Sequence, residues 1–159
     1  MSESSDYRSF RKNIIGLYDR IDRIENVMVI GMPDINLCIN GQESWIEQKS
    51  PKEPKRKSTI LFGSNHKISV DQRNWMKRQI SAGGLAYFLI VTDLRWILIH
   101  GKHADDINTM TVNQAVAAAL WHFEKPIRGT EPWEQLRAIL QSKAPESLKH
   151  SHTNTNFTA

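Results

Sequence analysis

The stretch "GMPDINLCINGQESWIEQK", residues 31–49, decides how the chain folds. Asn40-Gly41 separates two runs of alternating apolar residues, which is the strongest short-range signal for a β-hairpin, because both residues tolerate the positive φ of a tight turn. With a two-residue loop Ile39 faces Gln42, and the same register carries Asp34 directly opposite Glu47. Lys49, two residues beyond Glu47, then shares its face. A four-residue loop would put Lys49 opposite Asp34 and leave Glu47 diagonal to it, so it gathers the same three side chains. A three-residue loop would turn Asp34 to the other face unless a bulge restored it. Ile35, Leu37, Ile39 and Ile46 line the opposite, core-facing side.

Two carboxylates facing each other across a sheet repel. A hard divalent cation between them reverses that balance, and Mg²⁺ is typically held by one or two carboxylates with water completing its shell. A lysine beside such an ion can orient the attacking water and stabilise charge on a phosphate. Asp34, Glu47 and Lys49 therefore suit phosphodiester hydrolysis. The plainer alternative is an exposed Glu47–Lys49 ion pair worth a few tenths of a kcal/mol, on the order of 0.2–1.

The rest of the chain sets limits on this. With 159 residues it is sized for one domain, long enough to bury a core without staples. Its net charge of +4 permits a polyanionic partner without requiring one. Cys38 is the single cysteine, so no internal disulfide can form, and its apolar strand pattern suggests a buried thiol in a reducing compartment. The opening "MSESSDYRSFRKN" has no apolar core of a signal peptide. The most apolar window, residues 85–101, is interrupted by Asp93 and Arg95 and reads as two core strands rather than a membrane segment. A cytoplasmic protein is expected.

Phe10, Ile14, Leu17, Tyr18 and Ile21 predict a helix over residues 5–22. "NVMVIG" (26–31) predicts a strand before the hairpin, and "SPKEPKRK" (50–57) a basic solvated loop. "STILFG" (58–63) suits a short strand or edge segment. Ser69 and Gln72 fit a capping box for a helix over 70–82, stopped by Gly83-Gly84. Two strands follow, split by a turn at Asp93. An alanine-rich helix is expected over 111–125, ended by Pro126, then a last helix over 130–141 with Thr130 as N-cap. From Ala144 the composition is that of a disordered tail. The expected class is α/β: a mixed sheet flanked by helices.

Pro33-Asp34 followed by Glu47-Gln48-Lys49 resembles the PD-(D/E)xK nuclease motif. The wider strings over residues 23–49 and 68–91 are similar to small VRR-NUC-like and Holliday-junction-resolvase-like endonucleases, many of them from phages. The resemblance covers roughly residues 23–92 and implies a restriction-endonuclease-like core; the expectation for the whole chain is a single nuclease domain over 1–143, with its core over about 5–101 and a helical C-terminal part over 104–143. It implies that Asp34, Glu47 and the Gln48 carbonyl bind Mg²⁺, for which Mn²⁺ can substitute, and that Lys49 contacts the attacking water or the phosphate. It also implies an upstream acid, usually from the first helix. Glu25, next to the expected first strand, is the choice here, with Asp22 and Asp19 as alternatives. Gln72 matches the family's helix glutamine, which often faces the site, although its capping role explains it equally well.

DNA is the implied partner. Lys52, Lys55, Arg56 and Lys57 can track its phosphate backbone, with Arg73 and Lys77 extending the patch and Arg78 beside them; each has an ordinary exposed surface as its plainer explanation. Trp45 falls on the Glu47 face and suits either substrate contact or packing against a helix. His100 and His103 with Asp105 and Asp106 look like loop residues rather than a metal site, because Gly101 breaks any helix between them. The expectation is a Mg²⁺-dependent endodeoxyribonuclease, homodimeric if it resolves junctions. The alternatives are a site-specific or homing-type nuclease, or a non-catalytic nucleic-acid-binding protein on the same fold.

Overall fold

A computed structural model describes residues 2–25 and 28–143. The elements run α1 (Glu3–Ile14), β1 (Arg20–Arg23), β2 (Ile35–Ile39), β3 (Gln42–Lys49), α2 (Val70–Ser81), β4 (Ala86–Val91), β5 (Arg95–His100), α3 (Val112–Ala118), β6 (Trp121–Glu124) and α4 (Glu131–Leu140), with two short 3₁₀ turns between β5 and α3. The six strands lie side by side in chain order. All neighbours are antiparallel except β3 and β4, which are parallel and joined through α2. The fold is α/β, a mixed sheet flanked by helices.

Each face of the sheet carries its own core, because strand side chains alternate. On one face Ile35, Leu37, Ile39, Ile46, Tyr87 and Leu89 pack with Phe10 and Ile14 of α1 and Leu136 and Ile139 of α4. On the other, Phe88, Ile90, Ile97 and Ile99 pack with Met76 of α2 and Val112 and Ala115 of α3.

The hairpin has the two-residue turn. Ile39 pairs with Gln42 and Ile35 with Ile46. Asn40 (φ 49°) and Gly41 (φ 78°) both adopt the left-handed region that such a turn demands. Helix α2 starts at Val70 behind a complete Ser69–Gln72 capping box.

Four expectations fail. The first helix ends at Ile14, and residues 20–23 are a strand instead. Gly16 and Asp19 close a turn there, with the Gly16 N–H donating to the Asp19 carboxylate at 2.6 Å. Leu17 and Tyr18, placed on the helix's apolar face by periodicity, are exposed. The strand expected over 26–31 is absent where it can be described: Asn26 and Val27 lie outside the described residues, and Met28–Ile30 form an exposed turn. The sheet position beside β2 is taken by β1. The alanine-rich helix stops at Ala118, and Trp121–Glu124 form edge strand β6 against β5. Trp121 is buried while His122 is exposed, the two-residue alternation of a strand. Cys38 is a free, half-buried thiol rather than a fully buried one. The tail from Ala144 lies outside the described residues.

Candidate active site

The β2–β3 ladder ends at Ile35–Ile46, and one further step brings Asp34 opposite Glu47 at the open end of the hairpin. There Asp34 is tied by its backbone and its side chain. Its carbonyl accepts the Ile24 N–H at 2.7 Å, and its Oδ1 accepts the Gln48 N–H at 3.0 Å. The loop before it is fixed by Gly31 (φ +80°), where a Cβ would lie 2.3 Å from the Asp71 backbone. A side chain at that position would push the Asp34 loop away from the start of α2.

Glu47 is buried, on the sheet face covered by α2. Both of its contacts converge on one oxygen. Gln72 Nε2 donates to Glu47 Oε1 at 2.5 Å, and Lys49 Nζ lies 3.0 Å from the same atom. Glu47 Oε2 is buried with no hydrogen-bond partner. Gln72 makes two contacts at once, since its Oε1 accepts the Ser69 N–H at 2.9 Å while its Nε2 reaches Glu47. The helix cap thereby fixes the amide that orients the carboxylate.

The electrostatics follow from this crowding. Burial, then the Asp34 charge, push the Glu47 carboxyl up to about 7, although Lys49 opposes the shift. Burial also raises Asp34, with the Gln48 N–H, Arg23 and Lys49 acting the other way. A buried carboxylate held near neutrality, with an unpaired oxygen beside a second carboxylate, is the donor set that a hard divalent cation satisfies. Among the described residues no three His, Cys, Asp or Glu side chains form a metal-binding group, so backbone and water would complete the shell.

Glu3, an acid of α1 that lies outside the helix expected over 5–22, also bears on this pair of carboxylates. Its charge acts on both Asp34 and Glu47, and its Oε2 lies 3.8 Å from Arg23, which also faces Asp34 at 3.7 Å. Its position was hidden because α1 starts two residues earlier than expected. Glu25 is exposed and lines a depression together with Asp34. Asp22 pairs with Arg20 in β1. Asp19 sits at the far end of the hairpin, bonding Arg137 and the Asn40 N–H. The Gln48 side chain, buried on the α1 side, donates to the Glu3 carbonyl at 2.9 Å.

Of the basic residues, Lys52, Lys55 and Arg56 are exposed on the loop directly after Lys49. Lys57 is bound to Glu53 at 2.8 Å, Lys77 pairs with Asp105 at 2.9 Å, and Arg73 is half-buried on α2. Trp45 packs edge-on against Trp75 of α2, the packing role. His103 lies 3.5 Å from Asp106 in a 3₁₀ turn, outside the hairpin cluster.

No protein-family model matches the chain, and no curated protein does. Among the described residues no helix is long and apolar enough to cross a membrane. Among solved structures the chain is similar to a Holliday junction resolvase from the archaeal hyperthermophile Archaeoglobus fulgidus, at 18% identity and a TM-score of 0.42 over 63% of this chain and 74% of that one.

Proposed function

We propose that this protein is a metal-dependent DNA endonuclease of the PD-(D/E)xK type. The observation that carries the reading is the unpaired, buried Oε2 of Glu47 beside Asp34, with Lys49 attached to the same carboxylate. Asp34, Glu47 and the Gln48 carbonyl would hold Mg²⁺, with Glu3 rather than Glu25 as the upstream acid. When bound, the ion supplies an acidified water and a charge partner for the phosphate.

The chain's own residues do the rest. Gln72 and Lys49 occupy Glu47 Oε1 and leave Oε2 for the ion. The Gln48 N–H fixes the orientation of the Asp34 carboxylate. Lys49 donates to the charge that develops on the attacked phosphate, where a preset donor costs no reorganisation. Lys52, Lys55 and Arg56 track the strand beyond it. A junction-resolving version of this enzyme works as a homodimer with two copies of the site.

The test is a panel of labelled branched, nicked and linear DNA, incubated with Mg²⁺ or with chelator. Cleavage should require the ion, and Asp34→Ala and Lys49→Ala should each lower it by about a hundredfold or more. Glu3→Ala should slow cleavage and Glu25→Ala should leave it unchanged. Full activity in the Asp34 or Lys49 variant sinks the site.

A further inference from the structure

A depression opens beside Asp34 between α1 and β1, with Tyr7, Arg8 and Arg23 in its wall. Arg23 is the side chain that links this depression to the carboxylates. Its Nη2 lies 3.8 Å from Glu3 Oε2 and 3.7 Å from Asp34 Oδ2. Its Nη1 donates to Ser4 Oγ at 3.3 Å, and the guanidinium sits 5.7 Å from the centre of the Tyr7 ring. Both carboxylate contacts are longer than hydrogen bonds, so charge alone maintains them. A guanidinium matches a phosphate with two parallel N–H donors, a geometry it does not use here.

The charge balance gives this looseness a consequence. Glu3, Asp34 and Glu47 outnumber Arg23 and Lys49 by one charge, and a divalent ion reverses that sign. A cation that neutralises carboxylates in the free protein competes with the ion for them. Once displaced, it stands in a depression beside a second arginine, Arg8, where the facing acid is the exposed and solvent-screened Glu25.

We propose that Arg23 is an exchangeable cation: it neutralises Glu3 and Asp34 in the metal-free protein, and with a divalent ion among the carboxylates it turns to a phosphate of a DNA strand lying in this depression beside Arg8. The inference rests on the nuclease reading above. It makes metal and DNA binding mutually reinforcing, since each favours the same position of one side chain.

The test pairs calorimetric titration of Mn²⁺ with anisotropy of a labelled duplex in Ca²⁺ and in chelator. Wild-type protein should gain roughly tenfold in DNA affinity from Ca²⁺, within the ordinary range of coupling between sites. Arg23→Gln should bind Mn²⁺ about fivefold more tightly, because its competitor is gone, and should lose most of the Ca²⁺ gain. Arg23→Lys, which keeps the charge without the fork, should bind Mn²⁺ like wild type with a smaller Ca²⁺ gain. Arg8→Gln should weaken DNA binding with and without Ca²⁺ and leave Mn²⁺ affinity unchanged. Unchanged or weaker Mn²⁺ binding by Arg23→Gln, or an undiminished Ca²⁺ gain, overturns the proposal while ion-dependent cleavage by wild type leaves the nuclease reading standing. Failure of wild type to bind Mn²⁺ at all overturns both.

Discussion

Glu47 and Glu53 are six residues apart and both buried, yet they sit in opposite electrostatic situations. Every oxygen of Glu53 is used. Arg95 Nε donates to both, at 3.1 and 2.9 Å, Thr92 Oγ1 donates at 2.8 Å and Lys57 Nζ at 2.8 Å. Burial alone would raise its carboxyl, but the bonds from Arg95, Lys57 and Thr92 outweigh that and hold it below the usual range. Glu47 has two donors on one oxygen, none on the other, and a second carboxylate opposite. Glu53 ties the basic loop to the β4–β5 turn, whose Asp93 also accepts the Glu53 N–H at 2.8 Å. A buried carboxylate whose bonds are complete serves the fold, whereas one left incomplete beside another acid is the arrangement on which the proposed metal site rests.

The contrast is most open to attack at Glu53. Glu53→Ala leaves Arg95 and Lys57 without their shared counter-charge and should cost about 3–5 kcal/mol of stability, read from chemical denaturation. A loss under about 1 kcal/mol would mean that Glu53 is no more of an anchor than Glu47. Removing the Glu47 charge should have the opposite sign. Its folded carboxyl titrates near 7 against an ordinary 4.5, so the folded state binds the extra proton between those values. Stability of the metal-free protein should therefore fall as pH rises from about 4.5 to 7, by up to about 3 kcal/mol at 1.4 kcal/mol per unit. Glu47→Gln should flatten that dependence and melt higher than wild type at pH 8 without metal, while losing cleavage. An equally pH-dependent Glu47→Gln protein would refute the assignment. The smallest effect belongs to Gln72→Ala, which removes half of a helix cap and one donor to Glu47. About 1 kcal/mol of stability should go, together with roughly tenfold in cleavage rate. Gln72→Glu keeps a residue able to complete the capping box, so if it retains cleavage the Glu47 contact has no catalytic role.

The hairpin was legible because its information is local. Asn40-Gly41 fixes the turn, the turn fixes the register, and the register brings Asp34 to Glu47. Ser69 and Gln72 announced α2 in the same way. Reading failed where an apolar pattern fits two periods. Ile21 satisfied a helical spacing, but a neighbouring strand was free to pair with it. Trp121 and Phe123 also fit the spacing of the alanine-rich helix before them, while the edge of β5 pairs with them as a strand.

The sequence by itself determined the turn, the helix cap and the meeting of two acids and a lysine, since each depends on residues within a few positions of one another or on one register. Only the tertiary structure decided which further acid bears on them and which charges are already taken. Glu3 reaches the site because α1 packs across β3, Arg23 because β1 occupies the edge beside β2, and Lys57 is held by Glu53 because that carboxylate is buried against Arg95. Those contacts join residues that are distant along the chain, and burial sets their strength, so no local pattern carries them.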